Sequence, residues 1–275
     1  MAPQLLRFYQ TGSFPFPYST NGEDTALTVC RHKGTPSLCF LTQTPGEDDF
    51  VFLDLNRPYP HEIGRFSSPV NHWRISGIAY EQPRNLLWAT EGSGLPHENS
   101  DKIIAVDADT GILTDSLRVP LLDSHALAYN GMYFVRSDGK KLEMITRSGS
   151  IVASMDVAIG TNCRGLSAAP WTYIASDTAS NRLVVITLFG QVAAVCNEPP
   201  GEPGGIEAVA FDNIRDFSRI SQLPLQEGET PEENTPYHPD TPWDPEPWQL
   251  RHRVYLANQK DQTIYAGYLY QTENP

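Results

Sequence analysis

One motif recurs five times along the chain: a small residue, an aliphatic one, a small or polar one, then usually an aromatic or apolar one. It reads Ala26-Leu27-Thr28-Val29, Gly77-Ile78-Ala79-Tyr80, Ala126-Leu127-Ala128-Tyr129, Gly165-Leu166-Ser167-Ala168 and Ala208-Val209-Ala210-Phe211. The aliphatic positions 27, 78, 127, 166 and 209 lie 51, 49, 39 and 43 residues apart. Each copy is followed by two short apolar runs joined by a polar turn, a β-hairpin signature. The clearest joins Tyr173–Ala175 to Leu183–Leu188 and closes on Gly190. The others join Phe40–Thr42 to Phe50–Leu55, Leu87–Thr90 to Lys102–Val106, Tyr133–Val135 to Leu142–Ile145, and Val254–Asn258 to Thr263–Tyr268. A multi-strand unit repeating every 40–50 residues or so predicts the blades of a β-propeller.

The rest of the chain sharpens this. Residues 4–10 (QLLRFYQ) read as a strand with no repeat of their own, while the last repeat has three strands and ends at Pro275. The N-terminal strand therefore supplies the outer strand of the last blade, which closes the ring and removes an exposed sheet edge. The expected architecture is all-β: a single five-bladed propeller spanning residues 1–275, with a six-bladed ring as the alternative. The stretch 214–250 breaks the pattern. It holds seven of the 23 prolines and eight acidic residues against two basic ones. Proline removes ladder donors, so this Pro-rich acidic insertion in the last blade reads as an extended arm. Its large aromatics, Tyr237, Trp243 and Trp248, suit contact with the domain or a partner, since disordered segments are aromatic-poor.

Composition removes whole function classes. A net charge of −13 opposes binding to nucleic acid or to an anionic membrane. No run approaches the 18 or so apolar residues of a membrane span, and the N-terminus lacks the apolar core of a signal peptide, so the expected location is cytoplasmic or within an assembled particle. Four cysteines do not make a disulfide framework; Cys30 and Cys39 flank one hairpin and either meet across it or stand as buried free thiols, the plainer reading. No GxSxG, HExxH, Walker loop or strand–helix GxGxxG occurs.

Propeller geometry says where chemistry would sit. The start of each first strand and the end of each second strand open on the same face. The starts carry Thr25, Ser76, His125, Arg164 and Glu207, and the ends carry Gln43, Glu91, Ser137, Asp177 and Gln259. These polar residues are expected to ring one channel mouth. Within that ring Ser76, Glu91, His125, Arg164, Asp177, Glu207 and Gln259 form the candidate ligand-binding set. A solvated rim with an internal Arg164–Glu207 salt bridge is the bland reading of the same residues.

The repeats, with "IIAVDADTG" and "LVVITLFG" among their strands, resemble the blades of the NHL/YVTN/SMP-30-like β-propeller superfamily over roughly residues 24–211 and 252–269. For the lactonase branch the resemblance implies a divalent cation such as calcium at the mouth. Glu91, Asn162, Asp177 and Glu207 are the positions that would hold it. Two function classes follow. The first is a non-catalytic binding or assembly module without a cofactor, such as a structural component of a virion- or tail-like particle or a carbohydrate-binding tip, working through protein neighbours or sugar. The second is a metal-dependent hydrolase or lactonase at the channel mouth.

Overall fold

A computed structural model describes residues 3–16, 25–44, 47–57, 60–69, 75–91, 102–119, 126–137, 140–156, 163–169, 172–214 and 253–271. The chain opens with β1 (Gln4–Pro15) and then folds into repeated four-stranded units. The first holds β2 (Leu27–His32), β3 (Thr35–Thr44), β4 (Glu47–Asp54) and β5 (Glu62–Ser67). The second holds β6 (Ile75–Glu81), β7 (Leu86–Glu91), β8 (Lys102–Asp107) and β9 (Leu113–Arg118). The third holds β10 (Ala126–Tyr129), β11 (Phe134–Ser137), β12 (Lys141–Ile145) and β13 (Ile151–Asp156). The fourth holds β14 (Cys163–Ala169), β15 (Thr172–Asp177), β16 (Arg182–Thr187) and β17 (Val192–Cys196). β18 (Ile206–Phe211), β19 (Val254–Asn258) and β20 (Thr263–Gln271) complete the set together with β1.

The first strands follow one another around an axis: β2 lies beside β6, β6 beside β10, β10 beside β14, β14 beside β18, and β18 again beside β2. This is a β-propeller, and the N-terminal strand closes it. β1 pairs antiparallel with β20, placing Phe8 opposite Leu269, Tyr9 opposite Tyr268 and Phe14 opposite Ile264. It has a second role that the repeat pattern does not announce. Gln4, Leu5 and Leu6 also pair in parallel with Ala194, Val195 and Cys196 of β17, fusing the last two blades into one eight-stranded sheet.

The recurring motif is explained by the two faces of each first strand. The aliphatic residue points back at the preceding blade. Leu127 packs with Ala79 and Trp88 of the second blade, Leu166 with Ala126 and Val135 of the third, and Val209 with Ile174 and Val185 of the fourth. Burying a side chain of this size stabilises the fold by about 1.5–3 kcal/mol. The small residue points forward, where the next first strand converges on the axis. A Cβ on Gly77 would lie 2.5 Å from the Leu127 amide nitrogen, and one on Gly165 2.8 Å from Ala208 Cα. Only small residues fit between backbones that close.

The glycines that end the outer turns also work between blades. Gly111 has φ +72° and lies against the Phe66 ring of the preceding blade, and Gly190 has φ +81° beside Met155. Further clasps join blades at buried polar groups. The buried Glu81 accepts a 2.8 Å bond from Trp88 Nε1 of its own blade, and its other oxygen accepts from Arg147 Nη2 of the next. The His32 ring, stacked on Phe52 at 4.1 Å, reaches the Ala108 carbonyl with Nδ1 at 2.7 Å. A carbonyl only accepts, so Nδ1 carries the proton. All four cysteines are free and buried.

The chain leaves β18 through Asp212 and Ile214, and re-enters at Arg253, whose carbonyl accepts from the Asp212 amide at 2.8 Å. This places the expected arm between the first and second strands of the last blade. The arm itself, with Tyr237, Trp243 and Trp248, lies outside the described residues.

Candidate functional site at the channel mouth

The residue just before each small–aliphatic pair is where three blades depart from regular pairing. The β6–β7 register shifts between Ile75 and Gly77, the β14–β15 register between Cys163 and Leu166, and the β18–β19 register between Ile206 and Ala208. The residues inside these irregularities are Ser76, Arg164 with Gly165, and Glu207. A β-bulge frees a residue from the ladder and re-aims its side chain. The same device at the same station therefore frees a serine, an arginine and a glutamate at one mouth.

What these groups touch differs from one to the next. Ser76 is buried and its hydroxyl donates to the Thr90 carbonyl at 3.4 Å. Thr25 is buried and donates to Gln259 Oε1 at 2.6 Å, tying the first and last blades at the rim. Ser137 is fully buried. Asp177 is also fully buried and accepts from Arg182 Nε at 2.9 Å, across the hairpin that pairs the two residues. Its carboxylate has this partner at the hairpin turn. The acid and base at the two ends of that hairpin turn were the signal available in the sequence.

Arg164, Glu207 and Gln259 remain half-buried at the mouth. Glu207 is the unusual one. Its Oε2 is buried and has no hydrogen-bond partner among the described residues. Burial pushes its carboxyl above the ordinary range, while the nearby charges of Arg164 and Lys260 pull it back down. Lys260 was not foreseen in the sequence. It comes from the turn between β19 and β20, and it is positioned by a strap at residues 199–205 that leads into β18.

The strap is held from both sides. Gly204 N–H donates to Asn181 Oδ1 at 2.6 Å, Glu202 N–H to Asp261 Oδ2 at 3.1 Å, and Asn258 Nδ2 to the Glu202 carbonyl at 3.0 Å. Lys260 Nζ donates to the Pro203 carbonyl at 2.6 Å, and the Gln259 amide to the Gly205 carbonyl at 2.7 Å. Asp261 Oδ2 also accepts from the Tyr265 hydroxyl at 2.8 Å; burial first, and then this carboxylate, push that phenol up to about 12.

The channel is narrow. On the Arg164 side it opens into a shallow hollow lined by Thr25, Ser76, Gly77, Ala126, Arg164 and Gly165, with enclosed room for about one water. The hollow at the opposite mouth has no charged lining among the described residues; Tyr80, Tyr129, Ser167, Phe211 and Asn213 form much of its wall. His125 and Asn162, and the side chains of Gln43 and Glu91, lie outside the described residues. Of the expected cation set, only Asp177 and Glu207 are therefore placed by the structure. No group of three or more metal-ligating His, Cys, Asp or Glu side chains occurs among the described residues.

Fold and site together define the class: a β-propeller with an ionisable, strap-bordered mouth at one end of its channel. Among solved structures the chain is similar to the glutaminyl cyclase of Myxococcus xanthus. Sequence identity is 14% and the TM-score 0.62, over 99% of this chain and 100% of that one. It also matches virginiamycin B lyase from Staphylococcus aureus at 13% identity and a TM-score of 0.45, covering 97% of this chain and 100% of that one. A protein of unknown function from Desulfotomaculum acetoxidans matches at 9% identity and a TM-score of 0.43, over 68% of this chain and 59% of that one. At such identities the likeness is one of fold. The chain matches no known protein family and no curated protein.

Proposed function

We propose that this chain is a ligand-binding β-propeller whose recognition site is the mouth around Glu207. The observation that carries the reading is the buried, partnerless carboxylate oxygen of a bulged residue, flanked by two cationic side chains. An unpaired buried acceptor costs the fold about 1–3 kcal/mol. A ligand that donates a hydrogen bond there recovers that cost. The test is a ligand-observed NMR screen of small acids, amino acids, sugars and short peptides against wild type and E207Q. Binders whose signal collapses in E207Q support the reading. If every binder is indifferent to E207Q, the reading is wrong.

A second reading rests on the raised Glu207 carboxyl, since a carboxylic acid shifted toward neutrality can exchange a proton with a bound substrate. The similar M. xanthus structure is an enzyme, a glutaminyl cyclase, over the same length of fold. This reading expects the chain to cyclise a peptide that begins with glutamine, and expects E207Q to abolish that. Absence of cyclised product by mass spectrometry removes it.

A further inference from the structure

We propose that β1 is an exchangeable closing strand: its seat between β17 and β20 accepts the β1 of a second copy of this chain, giving a reciprocal strand-exchanged dimer. This goes beyond the ligand reading above and does not depend on it.

The seat is specific on both sides. β1 pairs antiparallel with β20 from Leu6–Gln271 to Pro15–Thr263, and parallel with β17 from Gln4–Ala194 to Leu6–Cys196. Leu6 is buried with Ala194, Cys196 and Leu269. Phe8 lies over Gly267, where a Cβ would come 2.6 Å from its ring. Beside the bulge at Gln10–Gly12 the Thr11 hydroxyl donates to the Ala266 carbonyl at 3.2 Å. An arbitrary strand lacks this order of leucine, phenylalanine and bulge. A second β1 has it.

The occupant is lightly held. Of the twelve residues of β1 only Leu6 is buried, whereas every residue of β19 is. The backbone ladder therefore does most of the holding, and any copy of the strand forms that ladder equally well. Elements with few buried contacts are the first to open.

The link to the ring does not confine β1 to its own blade. The Phe16 N–H donates to the Gln262 carbonyl at 2.8 Å, and the Thr25 hydroxyl to Gln259 Oε1 at 2.6 Å. Both ends of the link thus rest on one turn, at residues three positions apart. Residues 17–24 join them, and a chain of that length reaches up to about 26–29 Å when extended. Once β1 leaves, β20 and β17 present bare edges, and a bare edge is a template for another strand. Two open chains fill both seats by exchange, with every ladder contact remade.

Arg7 and Tyr270 face each other across the β1–β20 pair, at a separation that a disulfide spans. Size-exclusion chromatography with light scattering compares wild type with R7C/Y270C, oxidised while dilute so that β1 is locked in its own blade. Each is held at about 1 mM, where a second chain competes with a tethered strand, and warmed to below its melting transition. The expected result is a dimer from wild type and from reduced R7C/Y270C, and its loss from the oxidised form. A dimer that the oxidised form makes equally, or a wild type that stays monomeric, overturns the proposal. If the two substituted positions do not join within one chain, a mixture of the single variants R7C and Y270C decides. Exchange predicts that disulfides between unlike chains exceed those between like chains on peptide mapping, and no such excess overturns it.

Discussion

Replacing Gly77 by alanine tests the packing logic that shapes every first strand. The added Cβ would meet the Leu127 amide nitrogen at 2.5 Å, the Ala126 carbonyl carbon at 2.8 Å and Ala126 Cα at 3.0 Å. All three are backbone atoms, so no rotamer change relieves the contact. Two blades must move apart near the axis, where Leu127, Trp88 and Phe134 are buried together. Overpacking of this kind costs about 1–3 kcal/mol, which in a chain of this size lowers the Tm by roughly 3–10 °C. Gly12 is the internal control. It has no atom within 4 Å of its Cβ position, so G12A should melt close to wild type. Differential scanning calorimetry of the two variants side by side is the assay. If G77A melts with G12A, the convergence of first strands at the axis is wrong.

Removing the Glu81 carboxylate should destabilise the join between the second and third blades. E81A strands Trp88 Nε1 and Arg147; because Arg147 is 41% exposed, the loss should be about 1–3 kcal/mol in urea unfolding, and an unchanged midpoint would refute the clasp. For Glu207 the sign is set by its raised carboxyl. Its contribution to stability is fully present below the ordinary value of 4.5 and is lost as pH rises through the raised folded value. The stability of E207Q relative to wild type should therefore grow between acid and neutral pH, and a pH-independent difference would contradict the buried placement. The thiols should be silent in the native state. Burial raises Cys39 well above its ordinary range and Cys196 to about 11, so native protein should react slowly with a thiol reagent and release four thiols when unfolded. Two thiols on unfolding would mean a disulfide that the structure lacks.

The fold was legible because the propeller's demands fall on residue size and spacing, which a sequence displays. Each first strand needs a small residue facing forward and an aliphatic one facing back, and positions 26–27 through 208–209 show both. The N-terminal strand was legible as the missing edge of the last blade. Its second, parallel pairing with β17 was not, since three residues of shared register leave no hydrophobic signature. The site divides in the same way. Arg164 and Glu207 could be picked by their place before the motif. The bulges that free them could not, because an extra residue at a strand's start leaves the alternation beyond it intact. Lys260 is joined to Pro203 across 57 positions, and no local pattern records such a contact. The pairing of Asp177 with Arg182 was not legible either, because polarity at a strand end looks alike whether the group faces a ligand or a cross-strand arginine.

A crystal structure of the protein grown with the best binder from the screen is the most direct trial of the mouth as the working site. The account predicts electron density for the ligand at the rim, with a hydrogen-bond donor on Glu207 Oε2. Density at the opposite mouth, among Tyr80, Tyr129 and Phe211, with Glu207 left untouched, would contradict it.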